Sequence, residues 1–197
     1  MLLHQPTAAM ALEIERRFLV RGDQWRQQVG WEARLEQGYL LASADGLTVR
    51  VRRAWGAPVV SGAWLTLKAR LPARGAGGSL DPEGLARQEF EYPIPQGDAT
   101  ALLALAPEKL SKCRYGLNLP GGEWVVDVFE ADNAPLVVAE VELDPEALVP
   151  EAPLAIPPWC VAELTGRHRL SNASLARCPL ARWPEQEREE LLRLSNS

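Results

Sequence analysis

The stretch Leu12–Val20, LEIERRFLV, decides how the rest of the chain is read. Successive side chains of a strand point to opposite faces, so Glu13, Glu15 and Arg17 share one face, and Leu12, Ile14, Phe18 and Val20 lie on the other. The same alternation returns along the chain. It predicts strands over about Arg34–Ala42, Leu47–Ala54 (LTVRVRRA), Ala63–Arg70 (AWLTLKAR), Ala86–Ile94 (ARQEFEYPI), about Leu110–Leu119, Glu123–Glu130 (EWVVDVFE) and Leu136–Leu143 (LVVAEVEL), with a short one at Val161–Leu164. Turn chemistry lies between them. Ser43–Gly46, Pro120–Gly122 and Asp132–Pro135 are tight turns, and Pro72–Gly84 is a Gly/Pro-rich loop.

Helical signals are few. Asp98 or Thr100 is positioned to cap a short helix over Ala101–Ala106 that Pro107 stops, and Ser171–Arg177 and Pro184–Leu194 read as helix. A Pro-rich stretch separates Asp144 from Pro158. Eight main strands with short connections predict a mainly β (α+β) fold, an antiparallel barrel or sandwich with a few covering helices. The expected organisation is a flexible tail over 1–11, one domain over 12–183 and a C-terminal helix over 184–197.

Composition narrows the function classes. The chain has 197 residues, 47% hydrophobic and 24% charged, which is ordinary globular usage. A net charge of −5 argues against nonspecific nucleic-acid binding. No run approaches the roughly 20 apolar residues of a membrane helix, and residues 1–11 lack the basic start of a secretory signal, so a cytoplasmic protein is expected. Cys113, Cys160 and Cys178 are widely spaced and odd in number, which predicts reduced thiols and no zinc site. With only His4 and His168, a histidine metal site or a Ser-His-Asp triad has little to build on. Of the 21 basic residues only Lys68, Lys109 and Lys112 are lysine.

The informative pattern is what alternates with the apolar residues. Arg50 and Arg52 share a strand face, as do Lys68 and Arg70, Arg87 with Glu89 and Glu91, Lys112 with Arg114, and Glu140 with Glu142; Asp127 stands between two valines. A solvated sheet face also alternates in this way, but such faces usually mix the two signs. Here whole strands carry one sign. Charges on one side and apolar residues on the other fit a closed sheet with a polar lumen. Carboxylates gathered without His or Cys favour Mg²⁺ or Mn²⁺, and converging Arg and Lys suit phosphate oxygens. Together they describe a site for a metal-bound polyphosphate.

These residues resemble a known family. EIERRFLV at Glu13–Val20 is similar to the E-x-E-x-K signature that opens the CYTH superfamily, the triphosphate tunnel metalloenzymes. QGYL (Gln37–Leu40), VRVR (Val49–Arg52), LTLK (Leu65–Lys68), RQEFEY (Arg87–Tyr92), KCRY (Lys112–Tyr115), DVFE (Asp127–Glu130), AEVEL (Ala139–Leu143) and ELT (Glu163–Thr165) resemble further family motifs in family order. The chain is most similar to the short, single-domain bacterial members. The resemblance implies an eight-stranded antiparallel tunnel with a polar interior. It implies divalent-metal ligands at Glu13, Glu15, Asp127, Glu140 and Glu142, phosphate contacts at Arg17, Arg50, Arg52, Lys68, Lys112 and Arg114 with Arg87 and Glu163 as further members, and a substrate- or water-orienting Tyr39. Two positions depart from the family pattern. Arg17 replaces the signature lysine, and Leu170 stands where an aromatic residue often precedes Ser171-Asn172.

The reaction expected from this reading is metal-dependent hydrolysis of a short triphosphate, with inorganic triphosphate giving pyrophosphate and phosphate. Glu140 or Glu142 is the expected base. Adenylate cyclase chemistry and hydrolysis of thiamine or nucleoside triphosphates use the same site, and a noncatalytic polyphosphate-binding module is the reading from another class. The expected partner is the small triphosphate alone, without nucleic acid or membrane, and the reading allows a homodimer.

Overall fold

Among the described residues the alternation becomes nine strands, all paired antiparallel, with three α-helices between and after them. The computed structural model describes residues 11–43, 46–56, 61–70, 87–143 and 154–196. The strands are β1 (Ala11–Val20), β2 (Val29–Ala42), β3 (Thr48–Trp55), β4 (Gly62–Arg70), β5 (Arg87–Pro93), β6 (Glu108–Leu117), β7 (Glu123–Phe129), β8 (Val137–Leu143) and β9 (Cys160–Glu163). Residues 1–10 of the tail expected over 1–11, the loop Pro72–Gly84 and the first part of the stretch from Asp144 lie outside the described residues, and Ala11 opens β1.

The sheet order is β5-β4-β3-β2-β6-β7-β8-β1-β9. Three residues of β1, Ala11 to Glu13, also pair with Glu89, Gln88 and Arg87 of β5, so eight strands follow one another in a ring. The seam is short. From Phe18 onward the same edge of β1 is taken by β9. The sheet is thus joined at one end of the seam and not closed along its length, a departure from the fully closed tunnel.

Registers put the two faces where alternation places them. Arg17 stands opposite Glu140, Glu15 opposite Glu142, Arg114 opposite Asp127, Arg52 opposite Trp64 and Lys68 opposite Glu89. These side chains share the inner face. Most of the outer face is covered. Phe18, Trp124, Val126 and Val141 pack with Trp25 and Trp159, and Val51 and Ala63 pack under Ala99 and Leu103 of α1 (Gln96–Leu105).

Helix α1 starts earlier than expected. It begins after Pro95, whose restricted φ suits a helix start, and neither Asp98 nor Thr100 caps it. The Thr100 hydroxyl donates instead to the Gln96 carbonyl within the helix. The C-terminal helices α2 (Asn172–Arg177) and α3 (Glu185–Asn196) fall where expected, and the Ser171 side chain caps α2 by accepting from the Ser174 N–H.

These last segments cover one end of the inner face. Leu19, Tyr39, Leu110, Phe129 and Val138 from the strands form one core with Leu170, Leu175, Leu180, Trp183 and Leu191. Leu164 and Asn133 tie this cover down: the Leu164 N–H donates to the Arg17 carbonyl, and the Asn133 side chain donates to the Leu175 carbonyl and accepts from the Leu180 N–H. No helix among the described residues is long and apolar enough to cross a membrane. Leu175 has no exposed surface. Leu175→Ala is expected to lower unfolding free energy by about 2–5 kcal/mol, the cost of truncating a core leucine; urea denaturation measures it.

Candidate active site

Two networks of charges meet on the inner face. The first gathers β1, β6, β7 and β8 around Asp127, which is completely buried, as is Lys112. Asp127 accepts from Lys112 Nζ at 2.5 Å and from Arg114 Nε and Nη2, both at 2.7 Å. Arg114 Nη2 also donates to Glu140 Oε2 at 2.6 Å, and Glu140 Oε1 accepts from Arg17 Nε at 3.0 Å. Arg17 Nη2 reaches the Leu170 carbonyl, and Lys112 Nζ reaches Asn172 Oδ1 at 3.1 Å, so the C-terminal cover is hydrogen-bonded to the charged layer beneath it.

Burial acts on these groups against their partners. It pulls the Lys112 ammonium down to about 8, although Asp127 pulls the other way. Burial alone would raise the Glu140 carboxyl, but Lys112, Arg114, Arg17 and Lys68 together hold it well below the usual carboxylate range. Burial would lower the Arg114 guanidinium, yet Asp127, Glu140 and Glu15 raise it above its ordinary value. Glu15 is thus felt by Arg114 across the same interior.

The second network belongs to β3, β4 and β5. Lys68 Nζ stands 2.9 Å from Glu89, and Arg52 Nη2 donates to both oxygens of Glu91 at 2.8 and 3.0 Å. Thr66 donates its hydroxyl to Glu91 and accepts from Arg50 Nη2. Arg50 lies 3.7 Å from both Glu89 and Glu91. The Nε atoms of Arg50 and Arg52 are buried and have no hydrogen-bond partner among the described residues. Arg53 Nε is also unpartnered, but Arg53 is on the outer face, bound to Glu36 and Thr100. A buried donor without an acceptor is costly, and an anion's oxygen is one acceptor the two inner Nε atoms could take once the side chains shift.

Tyr39 joins the networks. Its hydroxyl donates to Gln37 Oε1 at 3.4 Å, and burial pushes it up to about 12 despite Arg50, so it remains a donor. Its surroundings include Glu140 and Arg17 of the first network as well as Arg50 of the second.

For a divalent cation, the available donors are carboxylate oxygens. Glu15 and Glu142 are cross-strand partners on the inner face, and Glu13 follows two residues along β1 by backbone register. Among the described residues no three acidic, Cys or His side chains are gathered into a complete cage. An all-oxygen, partial donor set fits Mg²⁺ or Mn²⁺, which keep water and phosphate oxygens in their shell. Asp127 and Glu140 differ from the other expected metal ligands, because their oxygens already accept from Lys112, Arg114 and Arg17. On the inner face Lys68, Arg50 and Arg52 stand with Glu89 and Glu91, and Arg17, Lys112 and Arg114 with Asp127 and Glu140, while the registers place Glu15, Glu142 and Glu123 on that face as well.

The structure therefore brings together Glu15, Arg17, Tyr39, Arg50, Arg52, Lys68, Lys112, Arg114, Asp127, Glu140 and Glu142. Glu13 and Arg87 face each other in the β1–β5 register, and their side chains lie outside the description. Glu163 sits apart, on the outer face, where it accepts from Arg16 and Thr165. His168 is exposed, outside both networks. Sequence reasoning missed Gln37, Thr66, Glu89, Glu91 and Asn172 as site residues. Glu89 and Glu91 carried a visible signal, their shared face with Arg87; Thr66 and Asn172 carried none.

No family model matches the chain. An inorganic triphosphatase of Acetivibrio thermocellus is 33% identical over 179 residues, which cover 89% of this chain and 100% of that protein. The solved structure of an inorganic triphosphatase superposes with a TM-score of 0.55 at 28% identity, covering 86% of this chain and 97% of that one. A further structure, described as a hypothetical protein, gives a TM-score of 0.54 at 29% identity over 83% and 97% of the two chains.

The depressed Glu140 carboxyl has a consequence for acid stability. Its contribution is fully present above its ordinary value of 4.5 and is lost as pH falls through its lower folded-state value. Denaturation of wild type and Glu140→Gln between pH 7 and about pH 2 should show a wide stability gap at neutral pH that narrows on acidification below pH 4.5. A gap of constant width would contradict the assignment.

Proposed function

The chain belongs to the CYTH superfamily of triphosphate tunnel metalloenzymes, and from that premise we propose that it hydrolyses inorganic triphosphate to pyrophosphate and phosphate. The observation that carries the proposal is the pair of buried Nε donors of Arg50 and Arg52, without a partner among the described residues, on a face where carboxylates already accompany the cations. Those carboxylates matter because a triphosphate brings several more negative charges to the same face. Two processes relieve this. Phosphate oxygens replace Glu89 and Glu91 as acceptors for Lys68, Arg50 and Arg52, and the carboxylates of β1 and β8 would hold a divalent cation that offsets the remaining charge.

Glu13, Glu15 and Glu142 would hold Mg²⁺ or Mn²⁺, which when bound supplies charge neutralisation to the phosphate oxygens. The protein's own part is positioning and electrostatics. Arg50, Arg52 and Lys68 bind the chain of phosphates and neutralise the charge that grows on the leaving pyrophosphate. Arg17, Lys112 and Arg114 line the other side, their directions fixed by Asp127 and Glu140. Tyr39, a neutral donor, orients a phosphate oxygen or the attacking water. Water attacks the terminal phosphorus, the bond to the bridging oxygen breaks, and the electron pair leaves on pyrophosphate.

Of the two expected bases, Glu140 is poorly suited to take the proton from water. Both Glu140 oxygens already accept from arginines, and its carboxyl is held low by four cations, which makes it a weak base. Glu140 serves better to aim Arg17 and Arg114.

The test is phosphate release from inorganic triphosphate, ATP and thiamine triphosphate with Mg²⁺, Mn²⁺ or EDTA, with cyclic AMP measured among the ATP products. Metal-dependent release that favours inorganic triphosphate is expected. Cyclic AMP as the main product, or binding without turnover, would contradict the proposal. Glu15→Gln is expected to lower kcat by at least ~10²-fold, the scale of losing one positioned electrostatic group; steady-state kinetics at saturating metal give the number.

A further inference from the structure

Trp64 lies on the inner face directly opposite Arg52 in the β3–β4 register. The guanidinium carbon of Arg52 stands 4.9 Å from the centre of the Trp64 ring. The indole is held in place by small neighbours. It folds back over Gly62, where a Cβ would stand 2.5 Å from its Cη2 atom, and it packs against the cluster of Ala33, Leu35 and Ala54.

Arg52 needs this support. It shares its strand face with Arg50, and Arg114 also raises the local positive potential, while burial disfavours its charge. Its terminal nitrogen is tied to Glu91, yet its Nε has no acceptor. Lateral pairing with Glu91 alone fixes one edge of a planar group and leaves rotation about that edge. An aromatic face beneath the plane removes that freedom and attracts the cation through the ring quadrupole.

We propose that Trp64 is a positioning residue for the triphosphatase reaction, holding the Arg52 guanidinium by a cation–π contact so that its donors are aimed at the phosphate oxygens when Glu91 is exchanged. The proposal rests on the reading that triphosphate is the substrate. Trp64 acts through Arg52, so its effect falls on substrate affinity more than on turnover. Phosphate binding draws Arg52 away from Glu91, and the indole then keeps the guanidinium plane in place during the exchange of acceptors.

The experiment is a double-mutant cycle on the full chain, with KM and kcat for inorganic triphosphate in Mg²⁺ and thermal unfolding of every variant. Trp64→Leu is expected to raise KM about tenfold and to change kcat by less than about threefold, the scale of one desolvated cation–π contact. Trp64→Phe keeps a ring face and should recover most of the lost affinity. Gly62→Ala, which pushes the indole from its seat, should raise KM in the same direction. In an Arg52→Met background Trp64→Leu should add less than about twofold, because its route is already gone.

Equal KM increases from Trp64→Leu in both backgrounds, equal losses in the Phe and Leu variants, or an unchanged KM in folded Trp64→Leu would each overturn the proposal. Should Trp64→Leu fail to fold, Trp64→Phe and Gly62→Ala, each with and without Arg52→Met, decide it by the same criterion. The wild-type arm separates the two claims. Absence of turnover defeats the reaction, and the cycle is then read as triphosphate Kd by calorimetry; absence of binding as well defeats both.

Discussion

Asp127 is the group on which the rest of the interior depends. A carboxylate with no exposed surface must be paired, because an isolated buried charge costs far more than any single contact returns. Asp127 meets that condition twice, through Lys112 and Arg114, and each of those cations then needs the next partner. Arg114 takes Glu140, Glu140 takes Arg17, and Lys112 takes Asn172 from the C-terminal cover. The chain of pairs runs across four strands and up into α2. Removing one partner from such a network strands the others, which typically costs about 3–5 kcal/mol per broken buried pair. The same pairing that makes burial tolerable also fixes where every cation points.

Function follows from a difference between the two networks. Around Asp127 nearly every acceptor is occupied by strong, short contacts, and these groups form a rigid frame. Across the interior, among the described residues, the ion pairs of Arg50 are long, Arg50 and Arg52 each keep a buried Nε without a partner, and Glu89 and Glu91 each serve two cations. In the proposed reaction that side exchanges its acceptors. A triphosphate offers oxygens in a line, which match a row of donors distributed over β3 and β4. The acidic partners Glu15 and Glu142 stand on the other wall, where they would hold a cation that offsets the substrate's charge.

Much of this was legible because strand alternation depends on local order alone. Once LEIERRFLV is a strand, Glu13, Glu15 and Arg17 must share a face, and the same holds for Arg50 with Arg52 and Lys112 with Arg114, whatever the pairing. What alternation cannot give is the partner across the face. It could not show that Asp127 accepts from two cations, that both oxygens of Glu140 are taken, or that Thr66 bridges Arg50 to Glu91. These depend on register, which long-range packing sets. The C-terminal segment is similar: its helices followed from caps and spacing, but nothing local placed Leu170, Leu175 and Trp183 over the end of the inner face. The early start of α1 came from Pro95, whose fixed φ outweighed the side-chain capping candidates further on. The seam between β1 and β5 was equally hidden, since nothing in either strand's pattern shows that they pair over only three residues before β9 takes the edge.

The most direct test of the central claim is a crystal structure of the protein with inorganic triphosphate and Mn²⁺, with the metal located by its anomalous scattering. The expected result is phosphate oxygens bound to the Nε atoms of Arg50 and Arg52 and to Lys68, Glu89 and Glu91 released from those cations, and the anomalous peak beside Glu15 and Glu142, with the Asp127 pairs unchanged. Triphosphate bound on the outer face, or bound inside with Arg50, Arg52 and Lys68 still paired to Glu89 and Glu91, would contradict the account.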